Sequence, residues 1–383
     1  MNKILVTGGL GFIGMQVAKL LLELKASVLL FDNLSPQIHG AVPYLHSCPS
    51  QMLTSVKVIR GDARYPADWE EALRDVDVVV HLAAETGTAQ SMYEISRYVG
   101  TNVGGTAALL DYLANHKHNV KKIILASSRS VYGEGAYNCK LCGVVYPEAR
   151  SEESMKSERW QPKCVVCGNR IEAVATEEIA PPRPASIYAA TKVAQEDMVR
   201  ISAKAQGIPA VILRFQNVYG EGQSLKNPYT GILSIFSNQI RAGKTVNLYE
   251  DGQATRDFIH VSDVARAVSL AIQSDGADGK TLNVGCGQPI TIERIALLLG
   301  EQFGSKQAAV ISGQYRIGDI RHGFANISAI QKSLGFLPEV SLDRGLTRFV
   351  DWVKQQPPEP DRLDIANQEL VSRSLMPRKV GFR

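Results

Sequence analysis

The first 32 residues follow an order of elements that few folds accommodate. An apolar run, Lys3–Thr7, leads into a glycine cluster that ends at Gly14. Apolar residues then recur at helical spacing as far as Lys25, and a second apolar run, Ser27–Phe31, ends at Asp32. Strand, glycine turn, helix, strand and acid in this order are typical of a dinucleotide-binding βαβ unit.

The residue types of this unit suit one class of ligand. Glycines let the backbone approach a pyrophosphate, which then lies at the N-terminus of the following helix. Asp32 can accept a hydrogen bond from a ribose 2′-hydroxyl, and its charge repels a 2′-phosphate, so NAD is favoured over NADP. The alternative is a glycine turn in an unrelated α/β protein, which leaves the strands and the acid unexplained.

Alternation of strands and helices continues beyond this unit. Val56–Arg60, Val76–Leu82 and Lys121–Ser127 read as strands, and Ser91–Leu113 reads as a helix. Repeated βα units with apolar strands predict a parallel sheet whose ligands bind at the carboxyl ends of the strands. Several residues fall at such ends: Asp62, Leu82, Ala83, Ala84, Thr86, Ser127 and Ser128.

Two short sequences near the middle of the chain carry the candidate chemistry. Residues 126–133 read Ala-Ser-Ser-Arg-Ser-Val-Tyr-Gly, and residues 188–192 read Tyr-Ala-Ala-Thr-Lys. A tyrosine four residues before a lysine on a helix places phenol and ammonium on one face. A serine at the end of the preceding strand could meet that phenol.

Between these sequences, residues 134–180 are polar and show little periodicity. The segment holds Cys139 and Cys142 in one Cys-x-x-Cys-Gly sequence, and Cys164 and Cys167 in a second, 21 residues later. Four thiolates at this spacing can close a tetrahedral zinc site, and four protein ligands leave no position for a substrate. The sequence therefore predicts a structural zinc site that helps a small segment to fold. Unligated or oxidised thiols and an iron–sulfur centre are the alternatives.

Arginines recur in the looser pattern beyond residue 215. They lie in Arg256–Val261 and Arg316–His322, both predicted to include loop positions. The planar guanidinium binds anionic oxygens in pairs, which suits a diphosphate. A surface ion pair is the alternative for each arginine. From Gln355 onward the chain is rich in proline and then polar and basic, as in a partly ordered tail.

Composition excludes several classes of function. The 383 residues suffice for two domains, and a net charge of +4 without a basic run does not favour nucleic acid. Glycines interrupt the apolar start where a signal peptide needs a continuous run, and no stretch of about 18 apolar residues predicts a membrane span. We expect a soluble, cytoplasmic protein without nucleic-acid or membrane partners.

Together these motifs resemble the extended short-chain dehydrogenases/reductases, in the group of NAD-dependent nucleotide-sugar epimerases and dehydratases. The resemblance covers residues 1–355 apart from the cysteine insert. It rests on these sequences: residues 7–14, Asp32-Asn33, Gly61-Asp62, His81–Ala84, Asn102, residues 127–133, Tyr188 with Lys192, Asn217–Gly220, Arg256–Val261 and Arg316 with Asp319.

The resemblance implies a role for each matching residue. The implied cofactor-binding residues are Gly8, Gly11, Phe12 and Ile13 at the pyrophosphate, Asp32 with Asn33 at the adenosine ribose, Asp62 and Ala63 at the adenine, and Leu82, Ala83, Ala84 and Thr86 at the nicotinamide. Tyr188 is the implied base, Lys192 lowers its pKa and holds the nicotinamide ribose, and Ser128 relays the proton. The implied substrate-binding residues are Ser128, Asn217, Arg256, Arg316 and Asp319.

The resemblance also implies an architecture. We expect an α/β fold with a Rossmann-type doubly wound parallel sheet, a smaller C-terminal α/β substrate-binding domain and a four-cysteine zinc-knuckle insert. The expected division is 1–215 for the NAD-binding domain, with the insert at 134–180, then 216–355 for the nucleotide-sugar domain and 356–383 for the tail. A homodimer is expected through helices near Ser91–Asn115 and Tyr188–Ala205, as in many relatives.

The implied activity is 4-epimerisation through a transient 4-keto sugar with tightly held NAD. Relatives that remove water carry an Asp-Glu pair where this chain has Arg129 and Ser130, so dehydration is disfavoured. Residues 85–91, residues 223–231 and the insert resemble the branch that interconverts dTDP-L-rhamnose and dTDP-6-deoxy-L-talose. Epimerases of UDP- or CDP-sugars, a dehydrogenase or ketoreductase that releases NADH, and a non-catalytic NAD- or redox-sensing protein are the alternatives.

Overall fold

The computed structural model describes residues 3–40, 55–227, 229, 231–305, 309–359 and 363–377. Its strands are β1 Lys3–Thr7, β2 Ser27–Asp32, β3 Lys57–Arg60, β4 Val78–His81, β5 Lys122–Ser128, β6 Tyr137–Cys139, β7 Gly143–Val145, β8 Glu172–Ala173, β9 Ala210–Phe215, β10 Asn217–Tyr219, β11 Asn247–Leu248, β12 Thr255–His260, β13 Thr281–Val284, β14 Pro289–Thr291, β15 Val310–Ile311 and β16 His322–Gly323.

The helices alternate with these strands over most of the chain. They are α1 Phe12–Glu23, α2 Pro36–His39, α3 Pro66–Ala72, α4 Thr88–Ser91, α5 Ile95–Tyr98, α6 Gly105–Asn115, α7 Glu152–Lys156, α8 Ile187–Gln206, α9 Ile232–Arg241, α10 Val261–Gln273, α11 Ile292–Phe303, α12 Ser328–Leu334, α13 Leu342–Gln355 and α14 Leu363–Ser372. A π-helix covers Val99–Gly104, and 3₁₀ turns cover Arg129–Tyr132 and Asp275–Ala277.

Seven parallel strands form the large sheet, in the order β13-β9-β5-β4-β1-β2-β3. Side chains such as Leu5, Val79 and Leu213 are fully buried because helices cover both faces. The predicted Rossmann-type doubly wound sheet is confirmed. Its carboxyl edge collects the strand ends that the sequence singled out.

A smaller lobe is built around β12. This strand pairs with β10 in parallel, with β14 in antiparallel fashion and with β16 in parallel. Helices α11 and α13 cover an apolar core that includes Phe258, Leu299 and Phe349. The chain returns from this lobe to the large sheet through β13, and α10 packs against α1. Elements after residue 215 therefore contribute to both lobes.

The helix predicted over Ser91–Leu113 is interrupted. It divides into α4, α5, the π-helix and α6. The wider π turn holds the buried side chain of Asn102, which accepts a hydrogen bond from Glu85 N (2.8 Å) and donates to Thr191 Oγ1 (2.9 Å). Helical periodicity alone does not distinguish a π turn from an α turn.

The cysteine insert folds around a small antiparallel sheet, in the order β7-β6-β8. Tyr137, Val145 and Ile171 pack with Cys139 and Cys164 into a separate apolar cluster. This cluster is small, and whether the insert needs more than apolar burial to fold stays a prediction.

Buried ion pairs attach the insert to the small lobe. Arg150 contacts Glu134 (3.0 Å) and Glu250 (2.8 Å), and its side chain is 3% exposed. Arg321 also contacts Glu250 (2.9 Å). A further donor nitrogen of Arg150 reaches the backbone oxygen of Asp319 (2.7 Å). The insert and the loop at residue 319 are thus held by one charge network.

The predicted tail contains an ordered helix. Leu363, Ala366 and Leu370 of α14 are buried, as is Met376 beyond it. Residues 360–362 and 378–383 of that predicted tail lie outside the described residues. Within the described ranges, none of the helices combines the length and apolar character needed to cross a bilayer.

We predict that Arg150→Met lowers the free energy of unfolding by about 3 kcal/mol, because the change leaves Glu134 buried without its guanidinium partner. Urea denaturation measures the difference. Arg159→Met is the matched control, since Arg159 is 55% exposed and its ion pair with Glu153 is worth less than about 1 kcal/mol. Equal losses in the two variants would contradict the prediction.

Candidate active site

One cleft of about 850 Å³ runs along the carboxyl edge of the large sheet. Its volume is within the range of small-molecule sites. Most of the residues predicted for cofactor, catalysis and substrate line it together: Gly8, Gly11, Phe12, Ile13, Asp32, Asn33, Asp62, Ala63, Leu82, Ala83, Ala84, Thr86, Ser128, Tyr188, Lys192 and Asn217.

The glycine turn of the cleft tolerates no larger residue at two positions. Gly8 has φ +62°, and a Cβ there would lie 3.0 Å from the backbone of Ala83. A Cβ on Gly14 would lie 2.3 Å from the Gly8 carbonyl oxygen. Helix α1 begins directly after Gly11 without a side-chain cap, so its first N–H groups face the cleft. This is the arrangement that a pyrophosphate needs.

Acidic side chains end the next two strands. Asp32 is 8% exposed, and its two oxygens accept from Leu10 N (3.1 Å) and Leu34 N (2.9 Å). Burial acts to raise the pKa of Asp62, but hydrogen bonds from Arg64 outweigh it and hold that pKa below its ordinary value. Asp62 is therefore ionised at neutral pH, and the two acidic side chains lie in the same cleft. They fit the adenosine half of NAD, where Asp32 would accept from the ribose.

Helix α8 places Tyr188 and Lys192 on one face, one turn apart. Its N-cap Ser186 accepts from Ala189 N, and Tyr188 N donates to Ser91 Oγ (3.0 Å). Lys192 Nζ donates to the carbonyl oxygen of Ala126 (2.9 Å) and lies 6.0 Å from the centre of the Tyr188 ring. The side chain of Ser128, at the end of β5, lies close enough to the Tyr188 phenol to lower its pKa, and its Oγ forms a hydrogen bond with Ser130 Oγ (3.0 Å).

Opposing effects act on the pKa of the phenol. Burial raises the pKa of Tyr188, whereas the side chain of Ser128 and the charge of Arg129 lower it. Burial also lowers the pKa of Lys192 to about 8, against the attraction of Glu196. The role of the Lys192 ammonium in lowering the pKa of Tyr188 stays a prediction. Among the protein groups that act on this phenol, desolvation has the largest effect and raises its pKa.

Arg129 is the site residue that sequence reasoning missed. The sequence indicated only that Arg129 replaces an acid of the dehydrating relatives. In the structure Arg129 lines the cleft together with Ser128 and Tyr188. Among the described residues it has no hydrogen-bond or ion-pair partner. Burial and the nearby Arg256 lower its pKa to about 9, so it stays charged at neutral pH. The sequence feature that indicates a place in the site is its position directly after Ser128.

Three predicted substrate residues do not line the cleft. Arg256 donates to the carbonyl oxygens of Thr255, Ile320 and Arg321, and so holds backbone. Arg316 donates to Asn367 Oδ1 (3.2 Å) on α14. The backbone oxygen of Asp319 accepts from Arg150. Their predicted contact with a diphosphate stays a prediction.

Unpartnered amide oxygens lie on the small-lobe side of the cleft. The side-chain oxygens of Gln216, Asn217 and Gln223 are buried and find no hydrogen-bond partner among the described residues. Buried acceptors without partners are costly, so such atoms favour a ligand with hydroxyl or N–H donors. Asn217 is the one of the three that the sequence predicted.

Comparison with known proteins agrees with this geometry. The family model described as the NAD dependent epimerase/dehydratase family matches residues 4–150 and 164–285. A dTDP-L-rhamnose 4-epimerase of Burkholderia thailandensis is 38% identical over 358 residues, covering 93% of this chain and 96% of the relative.

Solved structures of two epimerases are also similar. UDP-glucose 4-epimerase of Thermotoga maritima with UDP-glucose has a TM-score of 0.74 at 28% identity, covering 93% of this chain and 99% of that one. UDP-glucose 4-epimerase of Thermus thermophilus in complex with NAD has a TM-score of 0.72 at 27% identity, covering 93% and 100%. This chain belongs to the NAD-dependent epimerase/dehydratase family. The prediction of an enzyme of the epimerase type is thereby confirmed.

We predict that Arg129→Met moves the rising limb of the pH–activity profile upward by on the order of one pH unit. The resemblance implies that the Tyr188 phenolate is the base. The charge of Arg129 lowers the pKa of Tyr188, so its removal raises that pKa. Arg129→Lys keeps the charge and should leave the limb close to its wild-type position. A limb that is unchanged in Arg129→Met would contradict the electrostatic role.

Proposed function

We propose that this protein is a nucleotide-sugar 4-epimerase that keeps NAD bound and converts its substrate through a transient 4-keto sugar. The observation that carries the proposal is the convergence of Ser128, Tyr188 and Lys192 in the same cleft as the glycine turn and Asp32. The cation and hydroxyl at Arg129 and Ser130 argue against dehydration, which needs a carboxyl group for acid–base work.

Different residues of the cleft would bind different parts of the cofactor. The N–H groups at the start of α1 would hold the pyrophosphate, and Asp32 the adenosine ribose. Leu82, Ala83 and Thr86 would line the nicotinamide side. When bound, NAD supplies the hydride acceptor for sugar C4 and the donor that later returns the hydride.

Proton transfer falls to the side chains around Tyr188. The phenolate takes the proton of the sugar O4, and Ser128, whose side chain lies near that phenol, relays it. Arg129 offsets the cost of a buried phenolate, since its guanidinium is charged and faces it. The same groups return the proton when the ketone is reduced on its opposite face.

The proposed substrate pair is dTDP-L-rhamnose and dTDP-6-deoxy-L-talose. Its support is the 38% identity to the Burkholderia thailandensis enzyme of that name, against 28% for the UDP-glucose 4-epimerase of Thermotoga maritima. The free oxygens of Gln216, Asn217 and Gln223 can accept from sugar hydroxyls. Epimerisation of a UDP- or CDP-sugar is the second candidate.

We predict that the purified protein forms dTDP-6-deoxy-L-talose from dTDP-L-rhamnose without added cofactor, as measured by NMR. Tyr188→Phe should lower kcat by on the order of a hundredfold or more, because it removes the acid–base group. The control is Tyr112→Phe, at a ring stacked on exposed His116. A net absorbance change at 340 nm during turnover would favour a dehydrogenase, and no conversion of any dTDP-, UDP- or CDP-sugar would overturn the proposal.

A structural zinc ion is the proposed ligand of the insert. The Sγ atoms of Cys139, Cys142, Cys164 and Cys167 lie within 4.8 Å of one another. Bonds of about 2.3 Å to a tetrahedral zinc put sulfur atoms about 3.8 Å apart, so small shifts suffice. All four ligand positions would be taken by protein, which leaves the ion no part in catalysis.

We predict one zinc ion per chain by elemental analysis, and its loss in the double variant Cys139→Ser/Cys164→Ser. The variant should also lose thermal stability, because the insert cluster is small without the metal. Cys286→Ser is the control, since this thiol lies outside the four. Wild-type protein that folds normally without metal would contradict the zinc site.

The homodimer also remains a proposal. Its support is that Ile95 and Val99, on the segment predicted to pair, are 47% and 42% exposed. Ile201 on α8 is 70% exposed. Large apolar side chains on two neighbouring helices favour burial against a second copy.

A further inference from the structure

Glu369 of α14 joins two segments that border the cleft. One of its carboxylate oxygens accepts from the phenol of Tyr93 (2.7 Å) and from the phenol of Tyr229 (2.6 Å). Tyr93 follows α4 in the lobe of the large sheet, and Tyr229 follows β10 and lines the cleft itself. A single carboxylate thus connects the two lobes across the cleft.

Both connected segments touch functional residues. Two residues before Tyr93, Ser91 accepts the hydrogen bond from the backbone N–H of Tyr188. Tyr229 belongs to the stretch that also brings Gln223 and Asn227 to the cleft. Movement of either tyrosine therefore alters the surroundings of the base or of the substrate.

The connection is stable at neutral pH. Hydrogen bonds from Tyr229 and Tyr93 hold the pKa of Glu369 below its ordinary value, so the carboxylate is ionised. Burial, with the hydrogen bond to Glu369, raises the pKa of both phenols, so both keep the proton that they donate. The guanidinium of Arg373 also lies 4.1 Å from the centre of the Tyr93 ring. Hydrogen bonds to an ionised acceptor are stronger than neutral ones.

A second contact on the same helix strengthens the attachment. Asn367 Oδ1 accepts from Tyr249 (2.9 Å) and from Arg316 (3.2 Å). The backbone oxygen of Leu375 accepts from Ile317 N (3.0 Å). The segment after residue 362 is therefore fixed to the small lobe independently of Glu369, and Glu369 extends that anchor to the lobe of the large sheet.

We propose that Glu369 is a positioning residue that fastens the cleft across its two lobes and retains the sugar while it is oxidised. The inference rests on the proposed function. The ketone has lost a hydride from C4 to the nicotinamide cofactor and a proton from O4 to Tyr188. Each ketone that escapes leaves one reduced cofactor behind, and that enzyme molecule then lacks the oxidant for a new turnover.

Glu369→Gln tests this role, with Asp364→Asn as the matched control. Asp364 lies on the same helix and is 80% exposed, and the ion pair that it forms within the described part of the chain is a long one, 3.9 Å to Lys244. We expect a roughly tenfold rise in KM for dTDP-L-rhamnose with a smaller change in kcat, as the loss of a charge-assisted hydrogen bond implies. We also expect a released 4-keto sugar, trapped with borodeuteride and detected by mass spectrometry, and a matching 340-nm absorbance that stays with the protein. The control should show neither.

Further variants separate this role from folding and from the proposed function. Tyr93→Phe and Tyr229→Phe each remove one donor and should reproduce the rise in KM, and thermal melting identifies any variant that fails to fold. Wild-type KM in all three folded variants, without released ketone, would overturn the inference. Failure of the wild-type protein to epimerise would overturn the proposed function instead. In that case calorimetry with dTDP-L-rhamnose still tests whether Glu369 fastens the cleft around a ligand. Equal affinity of Glu369→Gln and wild type would overturn the inference about Glu369.

Discussion

The attachment of α8 to the large sheet fixes the position on which the active site depends. Lys192 donates to the end of β5, and Glu196, one turn further, is paired with Arg214 of β9 (2.7 Å). The side chains of Glu196 and Arg214 are 2% and 4% exposed, so the pair is desolvated and its geometry is demanding. These contacts hold α8 against two strand ends, and the direction of Tyr188 follows from them.

Burial of the phenol has an electrostatic consequence. A desolvated tyrosine favours its neutral form, so this site needs fixed positive charge near the phenol to work as a base. Lys192 is itself buried and its pKa falls to about 8, which limits what it contributes alone. Arg129 keeps its charge at neutral pH. Arg129 is a cation at the position where dehydrating relatives carry an acid. It therefore disfavours dehydration and favours the phenolate form of Tyr188.

Residues adjacent to the strand ends could be predicted from the sequence, because parallel strands bring their carboxyl ends to one edge. Most of the sixteen predicted residues that share the cleft lie at such ends, whereas Tyr188 and Lys192 reach it from α8. Arg256 and Arg316 could not be placed, since their orientation depends on carbonyl and amide partners far away in sequence. The π turn at Asn102 and the role of α14 likewise depend on contacts over long sequence distances.

Two segments outside the large sheet are attached to the rest of the protein through single charged side chains. The cysteine insert reaches the backbone of Asp319 through Arg150, and α14 reaches Tyr93 and Tyr229 through Glu369. An epimerase that works through a ketone has a particular need for such attachments, because a ketone that escapes leaves the cofactor reduced and the enzyme without its oxidant. Contacts that join the two sides of the cleft raise the free energy needed to open it between oxidation and reduction of the sugar. Under the proposed function, retention of the intermediate, rather than the chemistry at Tyr188, is the property that we propose for Glu369 of α14.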